Sequence, residues 1–313
     1  MKKNISIVSV CLLIFVSLFF VYKKIEVKKL FPGDYQTVIN GVVIHYHVRG
    51  QGPVCFVQPG GPGMNWGYLQ MPELEKFLTM VYIEPIGSGK SGKLVDYKGY
   101  SINRYLEDIE LLRKRLKQKK VYLLGHSHGG YVALSYNLRY PNNLIGLILY
   151  GTSPTTSRGW VENYYKNLKW FEKEPWFDSA YKVITSKEGV KNKLELNERL
   201  KKYFPFYFAD YTNNSEKYNK LINNSSIEYE PYLGYINELA EYDVSLSLRK
   251  VKAPSLVIVG EKDFICSPLF ANIMYSSIPN SSLVVLKEAG HMAHFEQPQK
   301  FSKAVSLFVE RTK

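Results

Sequence analysis

Ser127 sits in the run Gly125-His126-Ser127-His128-Gly129-Gly130, between an apolar stretch, Val121 to Leu124, and a segment of helical character. A serine with glycines two residues to either side, on a sharp strand-to-helix turn, is held in a strained backbone with its hydroxyl presented. The start of the following helix then favours negative charge developing near Oγ. The chemistry this predicts is attack on a carbonyl carbon. A serine hydroxyl is a poor nucleophile at neutral pH and needs a base, so one of the six histidines must reach it. His126 and His128 are pinned beside the turn, and His45 and His47 belong to the opening strands, which leaves His291 and His294. His291 follows Glu288-Ala289-Gly290 directly after the last apolar strand and is the predicted base; His294 is read as structural. The imidazole needs a carboxylate to fix its tautomer, and on such scaffolds the order along the chain is serine, acid, histidine. Asp263, at the end of Val259-Gly260-Glu261-Lys262-Asp263, fits that order, with Glu261 as the alternative; Gly151-Thr152-Ser153, after the preceding strand, offers no acid. Two backbone N–H groups must meet the oxyanion. One is expected from His128, and the other from Gly61 in the loop Pro59-Gly60-Gly61-Pro62-Gly63, where Pro62 has no N–H to give.

No metal or organic cofactor is called for. His45-x-His47 lacks an accompanying acid or cysteine cluster and reads as a surface pair, and Gly87-Ser88-Gly89-Lys90-Ser91 lacks the spacer of a phosphate-binding loop.

These residues have to be held by strands and helices, and the pattern supplies them. Tyr35 to Ile39 and Val42 to Val48 alternate around Asn40-Gly41, the signature of a hairpin. Val54 to Val57, Met80 to Ile83, Val121 to Leu124, Leu144 to Tyr150, Ser255 to Val259 and Leu283 to Leu286 are short apolar runs suited to buried parallel strands. Between several of them lie helical repeats: Ile102 to Leu116 behind a Ser101 cap, Gly129 to Tyr140 before Pro141, and a last helix around Phe301, Val305 and Phe308. The prediction is a doubly wound, mostly parallel eight-stranded α/β sheet. Its core comprises residues 31–151 and 247–313, with residues 152–246 inserted as a helical lid rich in aromatics.

The formal charge of +13 is concentrated partly in the first thirty residues, and the other lysines are scattered singly, which argues against nucleic-acid binding. Lys2-Lys3, an uncharged run from Ile5 to Tyr22, and Lys23-Lys24 predict a single-pass membrane segment within residues 1–30. Without small residues at a cleavage site the anchor is expected to be retained, the alternative being secretion after cleavage. Lysines predominate on its C-terminal side, which would leave the domain cytoplasmic. Of the cysteines, Cys11 falls in that segment, so only Cys55 and Cys266 could pair within the domain. Oligomeric state is not legible.

The glycine loop at 59–63, Gly87-x-Gly89-x-Ser91, the Gly125 to Gly130 run, Asp263 and Gly290-His291 together resemble the proline iminopeptidases among the α/β-hydrolases, from about residue 35 to the end. Pro59 stands where that family has His, Glu84 and Ile86 where it has Asp and Arg, and His128 where it often has Trp. The resemblance implies an α/β-hydrolase fold and release of an N-terminal proline or small apolar residue, with lid carboxylates gripping the substrate's ammonium; Glu228, Glu230 and Glu238 are available for that. A carboxylesterase or lipase would use the same residues on an ester, and a non-catalytic membrane-anchored binding protein is the more remote reading. The substrate expected is thus a small peptide or ester. A pair of carboxylates in the lid would favour the peptidase, and an uninterrupted apolar pocket the esterase.

Overall fold

The computed structural model describes residues 28–239 and 242–312. The membrane segment expected in residues 1–30 lies, up to residue 27, outside the described residues, as does Cys11. Among the described residues no helix is long and apolar enough to cross a membrane.

The predicted runs form one eight-stranded sheet: β1 (Gly33–Ile39), β2 (Val42–Gly50), β3 (Val54–Gln58), β4 (Thr79–Ile83), β5 (Val121–His126), β6 (Leu144–Tyr150), β7 (Ser255–Gly260) and β8 (Ser281–Leu286). Their spatial order is β1-β2-β4-β3-β5-β6-β7-β8. β1 pairs antiparallel with β2 through the two-residue turn Asn40-Gly41, both at positive φ (48° and 77°), the conformation an Asn-Gly hairpin turn requires. β2 is antiparallel to β4, and every later pairing is parallel.

Successive side chains of β5 go to opposite faces. Val121 and Leu123 join one apolar layer with helices α1 (Ile102–Arg115), α2 (His128–Arg139) and the later α8 (Pro268–Ser277). Tyr122 and Leu124 join a second layer with the C-terminal helix α9 (Pro298–Thr312). Burial on both faces is why these strands read as continuous apolar runs. α1 starts where Ser101 predicts, its hydroxyl accepting from the Arg104 N–H at 3.2 Å.

Between β6 and β7 the chain forms helices α3 (Arg158–Leu168), α4 (Phe177–Ile184), α5 (Lys193–Tyr203), α6 (Tyr211–Asn224) and α7 (Tyr229–Leu239). From β3 the chain moves outward to β4, and from β5 it moves the other way to β6. The loops after β3 and β5 therefore meet at the point where the winding reverses, where α/β sheets open a crevice at their strand ends.

Candidate active site

β5 ends at His126 and α2 begins at His128, so Ser127 alone makes the turn. Its φ of 55° and ψ of −123° lie where side-chain-bearing residues are strained. Hydrogen bonds hold it there. Its N–H donates to the Tyr150 carbonyl at 3.0 Å, and its own carbonyl accepts from Gly130 N–H and the Thr152 hydroxyl, each at 2.8 Å. Glycine is required opposite: a Cβ on Gly60 would come within 2.7 Å of the Ser127 Cβ.

Asp263 lies on the turn after β7, fully buried, with Oδ2 at 2.8 Å from His291 Nδ1. Its Oδ1 accepts from the N–H groups of Ile265 (3.1 Å) and Cys266 (2.9 Å), so both carboxylate oxygens are fixed. Glu261 points to solvent. The loop after β6, which offers no acid, packs against this pair instead: a Cβ on Gly151 would sit 3.1 Å from Asp263 Oδ2 and 3.3 Å from His291 Nδ1.

Three more histidines surround the site, and none has a carboxylate partner. His126 Nε2 donates to the His291 carbonyl at 3.1 Å. A carbonyl only accepts, so Nδ1 is the acceptor for the Tyr68 hydroxyl at 2.9 Å. Tyr68 Oη in turn accepts from Gly60 N–H at 2.7 Å. His294 is arranged alike, with Nε2 at 2.8 Å from the Tyr68 carbonyl and Nδ1 at 2.9 Å from the Tyr150 hydroxyl, which also lies 3.0 Å from the His291 carbonyl. Burial pushes the pKa of His126 well below the usual value, that of His128 down to about 3 and that of His294 to about 4. All three are neutral near pH 7. His291 alone among the four pairs with an acid.

Glu296 ties this region to the insert. Its carboxylate accepts from Gly290 N–H at 2.6 Å and from Ala209 N–H, in the insert, at 2.7 Å. Burial pushes its carboxyl up to about 7, against the pull of those two donors. Sequence reasoning passes over Tyr68, Tyr150, Thr152 and Glu296. The available signals are weak: a tyrosine closing an apolar strand, and an acid five residues after the predicted base.

Ser127, Gly61 and His128 line a single cavity of about 570 Å³ under the insert. His128 is the first residue of α2, whose N–H has no acceptor inside the helix. Gly60 N–H donates to Tyr68 instead, and Gly61 is the next residue of the glycine loop, on the same cavity as Ser127. The opposite wall is aromatic, with Trp160, Tyr164, Tyr203, Tyr207, Tyr232 and Tyr235 among its residues. Burial raises the Tyr164 and Tyr207 phenols well above the usual value, so both are uncharged. Glu188 and Arg199 are the charged side chains on the wall. Arg199 is paired with Glu195 at 2.7 Å and lies 3.7 Å from Glu188.

The acids singled out in the insert lie off this cavity. Glu228 accepts from Lys93 (2.8 Å) and Lys193 (2.5 Å). Although burial pushes its carboxyl up, the two lysines outweigh this and hold it below the usual value. Glu238 accepts from Ile102 N–H at 2.8 Å, and Glu230 stands 3.9 Å from Lys93.

The opening histidines need a correction. His47 is not on the surface: it is buried, stacked on Trp66 with ring centres 4.0 Å apart, and its two nitrogens face Asp34 (2.8 Å) and Glu84 (2.7 Å). Glu84 also accepts from Lys90 N–H, so it pins the Gly87 to Ser91 loop. Among the described residues no group of histidine, cysteine and acid side chains is arranged to hold a metal.

The strained serine and the buried acid–histidine pair stand on the loops that follow β5, β7 and β8 of one sheet. Residues 53–298 match the alpha/beta hydrolase fold model, and the chain belongs to that family. Within it, the chain is distantly homologous to proline iminopeptidases: it is 28% identical over 294 residues to the one from Saccharolobus solfataricus, covering 87% of this chain and 91% of that one. Among solved structures it overlays on the Mycobacterium smegmatis proline iminopeptidase with a TM-score of 0.70 (19% identity, 90% of this chain, 98% of that one). It overlays about as well on an esterase from Exiguobacterium antarcticum, at 0.68 (23% identity, 90% and 100%). The overlays establish the fold and do not separate the two activities.

Proposed function

We propose that the chain is a serine hydrolase working through an acyl-enzyme on Ser127. The observation that carries this is the buried Asp263–His291 pair, 2.8 Å apart, together with a serine in a strained backbone whose neighbour His126 bonds the His291 carbonyl at 3.1 Å. Asp263 holds Nδ1 of His291, leaving Nε2 to take the Ser127 proton as Oγ bonds to the substrate carbonyl carbon. The resulting oxyanion accepts from the N–H groups of Gly61 and His128. Collapse breaks the bond to the leaving group, which takes the proton from Nε2. A water, deprotonated by the same nitrogen, then releases the acyl group and restores the serine.

For the substrate, the lining supports an apolar, uncharged acyl group joined through an ester. The cavity wall is mainly aliphatic and aromatic, Glu188 and Arg199 are its charged side chains, and the acids at 228, 230 and 238 are engaged elsewhere. A second reading, release of an N-terminal proline or small apolar residue from a peptide, is favoured by the proline iminopeptidase relatives. In that case the substrate's ammonium would be met by tyrosine faces or Glu188 rather than by a carboxylate pair. Hydrolysis of a short-chain aryl ester beside a prolyl arylamide, by wild type and Ser127→Ala, tests both. Serine-dependent cleavage of the ester alone is the expected result. Cleavage of the arylamide would replace the ester reading with the peptidase one, and cleavage surviving Ser127→Ala would overturn the mechanism.

A further inference from the structure

At the opposite pole of the sheet from Ser127, the described chain begins by crossing the starts of the parallel strands. Lys28 to Pro32 border a cleft of about 940 Å³ whose other walls include Val54, Thr79, Lys119, Lys120 and Ile145. This stretch is fastened to the fold: Gln118 Nε2 donates to the Lys28 carbonyl at 2.7 Å, and Leu30 packs against the core. Lys28, Lys29, Lys76, Lys119 and Lys120 are exposed around the cleft, and of these only Lys76 has a carboxylate partner among the described residues (Glu73, 2.6 Å). The acid on the cleft, Glu75, accepts from the Tyr82 hydroxyl at 2.9 Å. Beside these lysines Phe31 stands 61% exposed. Cations without a carboxylate partner around an exposed aromatic ring, one of them (Lys29) 5.6 Å over that ring, suit a surface that is anionic outside and apolar just beneath.

We infer that this pole docks on an anionic phospholipid bilayer, with Phe31 entering the interface and Lys28, Lys29, Lys119 and Lys120 facing the headgroups. The inference rests on reading residues 5–22 as a bilayer-spanning segment, and does not depend on the reaction assigned to Ser127. Residues 23–27 separate Tyr22 from Lys28. Fully extended they reach at most about 20 Å, so the tether keeps this pole near the headgroups. Two of the five, Lys23 and Lys24, add to the positive charge. Charge attraction at that range is short, about a Debye length of 8–10 Å, which makes binding dependent on salt and on lipid charge. Ser127 lies beyond the far end of β5, whose six residues rise about 20 Å, so docking by this pole holds the serine at least that far from the headgroups.

The test uses the full chain in vesicles of phosphatidylcholine alone or with phosphatidylglycerol, each with brominated acyl chains. Phe31→Trp is compared with wild type, and the added fluorescence is read for quenching. At least twofold stronger quenching in the anionic vesicles is expected. It should be lost in 0.5 M salt and in the further variant Lys119→Glu/Lys120→Glu, which keeps its hydrolytic activity. Absence of quenching of the introduced indole in anionic vesicles, or quenching that survives charge reversal, overturns the docking. Alkaline carbonate extraction of the same vesicles reads the anchor separately: release of the wild-type chain would remove the tether and the inference with it.

Discussion

Tyrosines are used in two ways in this molecule. At the sheet end, the hydroxyls of Tyr68 and Tyr150 meet His126, His294 and backbone groups at 2.7–3.0 Å, fixing the glycine loop, the serine turn and the His291 loop as one unit. Across the cavity, Tyr164, Tyr203, Tyr207 and Tyr235 present rings, and their neighbours are other rings such as Phe264, 5.5 Å from Tyr164 and 5.6 Å from Tyr207. The insert also joins the core through polar ties, among them those of Glu228, Glu238 and Glu296, Asn167 to the Phe264 carbonyl and Met292 N–H to the Tyr207 carbonyl. Directional bonds specify position to a fraction of an ångström, whereas ring contacts specify volume and polarity. The sheet end is thereby suited to hold reacting atoms, and the insert to choose what enters.

Substitution at the sheet end should have the largest effect. Asp263→Asn leaves two backbone N–H donors in place but presents the wrong group to His291 Nδ1, and should lower kcat by about 10⁴-fold with little change in thermal unfolding. Near-normal turnover in a steady-state ester assay would mean that another acid orients His291.

The buried neutral histidines give that end a pH signature. Their folded pKa values are depressed from 6.5, to about 4 for His294 and about 3 for His128, so the unfolded chain binds more protons as pH falls below 6.5. Stability is lost progressively from there to about pH 4, on the order of 3 kcal/mol per histidine. Glu296 works in the opposite sense: its folded pKa of about 7 exceeds 4.5, so its protonation favours the folded state as pH falls through that window. Urea unfolding at pH 7, 6 and 5 should show a falling midpoint, and Glu296→Gln should make the fall steeper. A midpoint flat over that range would contradict both assignments.

In the insert the effects should be smaller and of another kind. Tyr207→Ala, which enlarges the cavity beside His291, should shift the preferred acyl chain length by about tenfold in kcat/KM, in favour of longer chains, while sparing the rate of reaction with a small fluorophosphonate. Loss of labelling there would move Tyr207 into the chemical machinery. Smallest of all, Glu228→Gln releases two half-exposed lysines and should lower stability by about 1 kcal/mol or less, with the salt dependence of an ion pair, as read by thermal unfolding at low and high ionic strength.

The same contrast marks what can be read from the sequence. The strands, the Asn-Gly hairpin, the Ser101 cap and the spacing of Ser127, Asp263 and His291 depend on local periodicity and on chain order, both of which the residues display directly. His47 escapes such a reading because its partners, Asp34 and Glu84, come from different parts of the chain, and an alternating strand does not say which of its faces is covered. The bridging role of His126 and Tyr68 requires the 58-residue separation between them to close. For the insert, helical spacing shows where the aromatics fall but not which side faces Ser127. An acid such as Glu228 reads the same whether it awaits a ligand or is neutralised by Lys93 and Lys193.

Cys55 and Cys266 are buried free thiols. Burial pushes the Cys55 thiol up to about 12 and that of Cys266 well above its usual value. Thiolate is the form that reacts with oxidants, disulfides and alkylating reagents, and here it is scarce at any physiological pH. Cys266 also gives its backbone N–H to Asp263, so its inertness protects the geometry of the acid. Among the described residues, then, neither cysteine presents a thiolate to oxidants or to a disulfide partner.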